Sequence, residues 1–199
     1  MATLQTTKQR PPAQTQQPQE PDPETRPLTE MFGLAGQVAV VTGGTGVLGG
    51  VMARGLARAG ARVGVLGRRR EQAEAVVQDI AAAGGEALAL PADVLDRAQL
   101  QTACEAVVAQ WGRIDILVNA AGGNMPAATL APGRSFFDLP VEGMDQVMNL
   151  NLMGTLLPSQ VFGEAMARAG RGCIVNISSM AAARAMTRVV GYGVAKAGV

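Results

Sequence analysis

The sequence predicts an α/β fold, a doubly wound parallel sheet with helices on both faces, and three observations predict it. From Gly33 onward, short β-branched runs alternate with Ala-rich stretches of helical spacing, the rhythm of βαβ units. Gly60 and Gly84 stand just past two of those stretches, where a left-handed residue stops a helix. A glycine-rich loop separates the first strand from the first long helix, as in a nucleotide-binding βα turn. Strands are expected over 38–42, 62–66, 87–90, 114–119 and 173–177, and helices over 47–59, 70–83, 97–111 and 141–169. Trp111, at the end of a helix, reads as a packing residue.

Residues 1–30 are rich in Gln, Pro and Thr and poor in aliphatics. They cannot bury enough apolar surface to offset the entropy of ordering, so a disordered tail is expected there and one domain over 31–199. The 199 residues are 48% apolar with a formal net charge of +1, which offers no charge surplus for nucleic acid. Apolar runs are broken by Arg or Gly well short of the roughly 18 residues of a membrane span. No signal-peptide pattern opens the chain, and a cytoplasmic protein is expected. There is no histidine, and Cys104 and Cys173 lie far apart, so neither a metal site nor histidine-based nucleophile activation is expected. Proton chemistry must use Tyr, Lys, Ser or a carboxylate.

After the first strand comes Thr42-Gly43-Gly44-Thr45-Gly46-Val47-Leu48-Gly49, in which Gly44, Gly46 and Gly49 satisfy a dinucleotide fingerprint. Such glycines allow a tight turn, let backbone amides approach a pyrophosphate, and bring helix against sheet. Taken alone, the trio also fits a turn that binds nothing. The residues after the second strand decide the ribose. An acid there accepts from a 2′-hydroxyl, whereas Gly67-Arg68-Arg69-Arg70 offers no acid and a run of guanidinium groups suited to a 2′-phosphate. NADP(H) is therefore expected in preference to NAD(H).

The fifth strand ends in Asn176-Ile177-Ser178-Ser179, and Tyr192 follows with Lys196 four residues later. If Tyr192 lies on a helix, the two side chains share a face one turn apart, and the ammonium can stabilise a phenolate. A Tyr–Lys pair by itself is equally an exposed helix pair; its place in the chain gives it meaning.

Taken in order, these motifs resemble the short-chain dehydrogenase/reductase family from about Phe32 to the last residue. The resemblance implies a Rossmann-like domain that moves hydride between NAD(P)(H) and a carbonyl or secondary alcohol. It implies a tetrad of Asn151, Ser179, Tyr192 and Lys196, with Asn151 in the long helix ordering a proton-relay water. Asp93 and Val94 resemble the adenine-contacting motif, and Asn119-Ala120-Ala121-Gly122 resembles the motif after the fourth strand. Thr42, Gly43, Gly44, Gly46, Val47, Gly49, Arg68 and Arg69 complete the expected cofactor set.

Gly43, Gly46 and Gly49, each three apart, depart from the family's commonest glycine spacing and resemble its extended branch. The glycine loop, Gly122-Gly123-Asn124, the loop through Phe136-Phe137-Asp138-Leu139, and the run from Leu152 to Pro158 are similar to those of sugar-acid enzymes in the family. A substrate such as D-mannonate or D-fructuronate is implied, with Arg184 or Arg188 binding its carboxylate or lying on the surface. The family pattern also implies two further strands and a substrate-covering segment after Val199, truncated here, which would leave the fifth strand as an unpaired edge. A homo-oligomer is implied for the full-length form. The alternative is a truncated, non-catalytic nucleotide-binding or interaction module.

Overall fold

The computed structural model describes residues 28–199; the expected tail lies outside them except for its last three residues, which begin a short helix, α1 (Leu28–Phe32). Within the unit Gly33–Val199 the elements are β1 (Val38–Thr42), α2 (Val47–Arg58), β2 (Arg62–Gly67), α3 (Arg70–Ala82), β3 (Ala87–Pro91), α4 (Arg97–Trp111), β4 (Ile116–Asn119), α5 (Val141–Met148), α6 (Gly154–Arg168), β5 (Cys173–Asn176) and α7 (Val190–Ala197). All strand pairings are parallel, in the order β3-β2-β1-β4-β5.

β1 is central, and its Val-Ala-Val-Val-Thr run is buried along its whole length, as a parallel strand covered on both faces requires. Alternation splits it between two cores. Val38 and Val40 join Leu100, Val107, Leu117 and Phe162 on the face covered by α4 and α6. Ala39 and Val41 join Ala53, Val63, Val65 and Ile80 under α2 and α3. Gly60 and Gly84 have φ of +98° and +81°, so both helix stops are left-handed. Trp111 packs on the first core, with its ring N–H donating to Glu86 Oε1 at 2.7 Å.

The chain winds outward from β1 through β2 to β3, then crosses to the other side of β1 for β4. The reversal opens a crevice above the carboxyl ends of β1 and β4, where such sheets place ligands. At the opposite end, Asp115 joins the two strands from below. It is 7% exposed, its Oδ2 accepts from Val38 N–H at 2.9 Å, and its Oδ1 accepts from Arg113 Nε at 3.0 Å. The Asp115 amide donates to Val38 O at 2.8 Å, and β4 itself begins at Ile116 rather than at residue 114.

The single helix expected over 141–169 is interrupted. A π turn, Asn149–Met153, separates α5 from α6. The wide turn is sustained by side-chain donors: Asn151 Nδ2 reaches Val147 O at 2.8 Å, Thr155 Oγ1 reaches Asn151 O at 2.8 Å, and Ser159 Oγ reaches Thr155 O at 2.7 Å. Pro158, inside α6, has no N–H to give. The hydroxyl ladder ends on the sheet, where Asn119 Nδ2 donates to Ser159 Oγ at 2.8 Å. Ser178 and Ser179 lie just beyond the same, carboxyl end of β5, a strand that among the described residues pairs only with β4 and leaves Ile174 and Val175 about 40% exposed. Among the described residues no helix is long and apolar enough to cross a membrane.

Removing the Asp115 carboxylate strands the Val38 N–H and removes one of the two ties between Asp115 and Val38, leaving the main-chain bond. Asp115→Ala should therefore lose roughly 2–4 kcal/mol of unfolding free energy, read as a lower urea midpoint at unchanged slope. A midpoint equal to wild type would deny it this role.

Candidate active site

The loop after β1 is built from close approaches. Gly43 has φ of +64°, Gly46 N–H donates to Gly43 O at 2.9 Å, and a Cβ on Gly49 would run into the Gly43 carbonyl. These glycines draw the start of α2 over the sheet and leave backbone amides facing the crevice. Gly43, Gly46, Val47 and Gly49 line one wall of a cleft of about 440 Å³. Three residues expected there lie beneath it instead. Gly44 is buried, with Val65 Cγ1 only 2.9 Å from where its Cβ would be. Thr42 is fully buried, and its Oγ1 accepts from both Ala120 N–H and Ala121 N–H at 3.1 Å. Asn119 is 1% exposed and donates to Ser159 and Asn176. Thr42 and Asn119 are struts that hold the floor, because their side-chain donors and acceptors are turned into the sheet.

Arg68 and Arg69 are exposed at the rim, and neither makes an ion pair among the described residues, whereas Arg70 lies 3.7 Å from Glu74. Gly67, the last residue of β2, could take a side chain only if Thr45 moved, since its Cβ would lie 2.6 Å from Thr45 Oγ1. Thr45 thus occupies the space that an acid after β2 would need, a contact the sequence does not announce. Asp93 and Val94 form the far wall; Asp93 Oδ1 accepts from Leu95 N–H at 3.0 Å, and buried Val94 packs against Gly154. Ala120, Ala121 and Gly122 close the cleft on the β4 side together with Leu150, which sequence reading had no signal to find.

Of the expected tetrad, Asn151 and Lys196 meet at Gly122. Asn151 is fully buried, accepts from Gly123 N–H at 2.9 Å, and donates to Gly123 O at 2.9 Å as well as to Val147 O. Both amide hydrogens are thereby committed to the backbone, which makes Asn151 a positioning residue rather than a group that touches reactants. Lys196, 5% exposed, donates from Nζ to Ile177 O at 2.6 Å, and burial pushes its ammonium below the usual lysine range. A Cβ on Gly122 would stand 2.6 Å from Asn151 Oδ1 and 3.3 Å from Lys196 Nζ, so the two side chains converge on that glycine. Tyr192 is half-buried one turn ahead of Lys196 on α7.

The two serines separate. Ser178 Oγ donates to Lys196 O at 2.7 Å and ties down the end of α7, whereas Ser179 Oγ accepts from Ala181 N–H at 3.2 Å and keeps its own proton to donate. Arg184 is not brought beside the Tyr192–Lys196 face. It lines a shallow groove with Val190, Gly193, Val194 and Ala197, about a third of a turn around α7. Arg188 Nε donates to Leu130 O at 2.7 Å. Among the described residues no group of three or more His, Cys, Asp or Glu could hold a metal.

The family model for short chain dehydrogenases matches residues 37–199. The chain belongs to that family. Among short-chain dehydrogenases it is 47% identical over 174 residues to the uncharacterized oxidoreductase UxuB of Bacillus subtilis, covering 83% of this chain and 63% of that protein. It is 40% identical to D-threitol dehydrogenase of Mycolicibacterium smegmatis, covering 84% and 62%. The chain thus spans somewhat less than two thirds of the length of these relatives. A crystal structure from Haemophilus influenza, provisionally named a D-mannonate oxidoreductase and holding bound NAD, superposes with a TM-score of 0.78 at 35% identity over 86% of this chain and 65% of the other.

The burial of Lys196 sets the sign of a pH effect. With its folded-state pKa lowered, the unfolded chain binds the extra proton in the window below the ordinary lysine value of about 10.4, so this group's contribution to stability rises with pH through that window. Lys196→Met should therefore be more stable than wild type at neutral pH, with the difference shrinking as pH approaches 10. Thermal melts of both proteins across that range test it, and a pH-independent difference would contradict it.

Proposed function

We propose that this short-chain dehydrogenase is an oxidoreductase that moves hydride between NADP(H), in preference to NAD(H), and a carbonyl or secondary alcohol of a sugar acid. The observation that carries the reading is the convergence of Asn151 and Lys196 on Gly122, at the mouth of a glycine-lined cleft, with Tyr192 on the face of α7 that bears Lys196.

The residues of the cleft fit a dinucleotide. The amides of the Gly43–Gly49 loop and the N-terminus of α2 suit a pyrophosphate, Asp93 and Val94 suit an adenine, and Ala120 to Gly122 border the nicotinamide end. When bound, the nicotinamide would supply the hydride for reduction or accept it in oxidation. In reduction, the Tyr192 hydroxyl gives its proton to the alkoxide oxygen that develops on the substrate, while the Ser179 hydroxyl donates a hydrogen bond to the same oxygen. The Lys196 ammonium stabilises the phenolate that Tyr192 becomes. Asn151 holds the Gly122–Gly123 backbone against this cluster, and oxidation reverses each proton movement.

Preference for NADP(H) rests on Arg68 and Arg69, exposed and without ion pairs among the described residues, beside a Gly67 whose side-chain space Thr45 fills. The sugar-acid assignment is supported by the likeness to the D-mannonate oxidoreductase structure, although that protein carries NAD. Cys104 and Cys173 are both free thiols, which suits a reducing compartment such as the cytoplasm. We expect the protein to form a homo-oligomer.

Tyr192→Phe should abolish turnover of an aldonate or its keto form, a loss of roughly 100-fold or more, while leaving NADPH binding by fluorescence intact. Binding without turnover in the unaltered protein would instead identify a nucleotide-binding module. Replacing Arg68 and Arg69 together by Ala should weaken NADPH selectively, by about ten-fold or more relative to NADH. Equal use of NADH and NADPH by the unaltered protein would sink the cofactor assignment.

A further inference from the structure

Arg188 is joined to Leu130 at two points. Leu130 N–H donates to Arg188 O at 2.9 Å, and Arg188 Nε donates back to Leu130 O at 2.7 Å, across 58 residues of sequence. Arg188 also has φ of +72°, which makes it the one non-glycine residue with positive φ among the described residues. An L-residue persists in that conformation where its surroundings over-determine it, and here the reciprocal pair of bonds does so.

What is joined gives the contact its meaning. Leu130 closes a strap that begins at Gly123, four residues past the end of β4, where Asn151 holds the backbone. Within the strap, Asn124 Nδ2 donates to Thr129 Oγ1 at 2.6 Å, and Thr129 Oγ1 donates to Met125 O at 2.8 Å. Ala128 is fully buried, and α5 packs so closely that a Cβ on Gly143 would run into the Ala127 carbonyl. The strap is therefore internally cross-linked, held by Asn151 at one end and by Arg188 at the other. Arg188 itself stands two residues before α7, the helix that carries Tyr192 and Lys196.

We propose that Arg188 is a positioning residue, a clamp that fixes the 123–130 strap against the entrance of α7 and so sets the space beside Tyr192, rather than a ligand for a substrate carboxylate. With Nε committed to a carbonyl, the side-on face that pairs Nε with an Nη atom is closed to a carboxylate. The clamp stands on the geometry alone; its consequence for substrates rests on the oxidoreductase reading above.

Two variants of the whole chain test it. Arg188→Gly adopts positive φ without strain and keeps the main-chain bond from Leu130, so it removes only the side-chain arm. Arg188→Lys keeps the charge but lacks the Nε–H. Hydrogen exchange followed by mass spectrometry should show peptides spanning 124–132 exchanging faster by roughly ten-fold in both, the effect of losing one charge-assisted bond, with peptides from β1 unchanged. Unchanged exchange in the strap would overturn the clamp, whether or not the chain turns over substrate. In turnover, both variants should raise KM by similar factors for an aldonate and for the neutral alditol of the same chain length. A rise confined to the aldonate and spared by Arg188→Lys would instead make Arg188 the carboxylate ligand.

Discussion

The site depends on one buried amide. Asn151 pairs with the main chain of Gly123 in both directions, donor to acceptor and acceptor to donor, much as a strand residue pairs with its neighbour. A side chain thereby pairs with the main chain as a neighbouring strand would, four residues past the end of β4. The Gly122 backbone can come so close only because it has no side chain, and Lys196 Nζ reaches the same space that a side chain there would fill. The end of α7 that carries Lys196, the β4 side of the glycine-lined cleft and the start of the 123–130 strap all meet this junction.

Much of this was legible in the sequence, because the strongest signals are those the backbone imposes. β1 shows its place through an unbroken β-branched run, and Gly60 and Gly84 show helix ends through the one conformation other residues avoid. The places of the glycine loop and Arg68 just past strand ends, and of Tyr192 and Lys196 one turn apart on a helix, were legible for the same reason. What could not be read was the direction in which polar side chains spend their hydrogen bonds. Thr42 and Asn119 look like cleft residues by position and are struts by geometry. Thr45, which closes the space at Gly67, and Ser178, which anchors the last turn of α7, act through contacts between residues distant in sequence. The π turn was hidden because helical periodicity over 141–169 is satisfied on either side of it.

The two ends of the sheet are held by different chemistry. Below, Asp115 ties β1 to β4 through a carboxylate shared between a main-chain N–H and an arginine. Above, Thr42 ties the same two strands through one hydroxyl oxygen that accepts from consecutive amides. A charged tie suits the base, where guanidinium groups at the surface can balance it. A neutral tie suits the rim, because a carboxylate under the cleft would oppose the anionic ligand that the glycine loop is shaped to receive.

The π turn at Asn149–Met153 can be seen as a phase slip. Inserting one residue into a helical turn rotates everything beyond it by about 100°. α5 can therefore direct its contacts to the strap and to α7, while α6, continuous with it, directs its contacts to α4 and the sheet. A straight helix would have to choose between serving the core and serving the site. Gearing the two halves through a single wide turn lets one rod belong to both layers, with Asn151 seated in the turn that joins them.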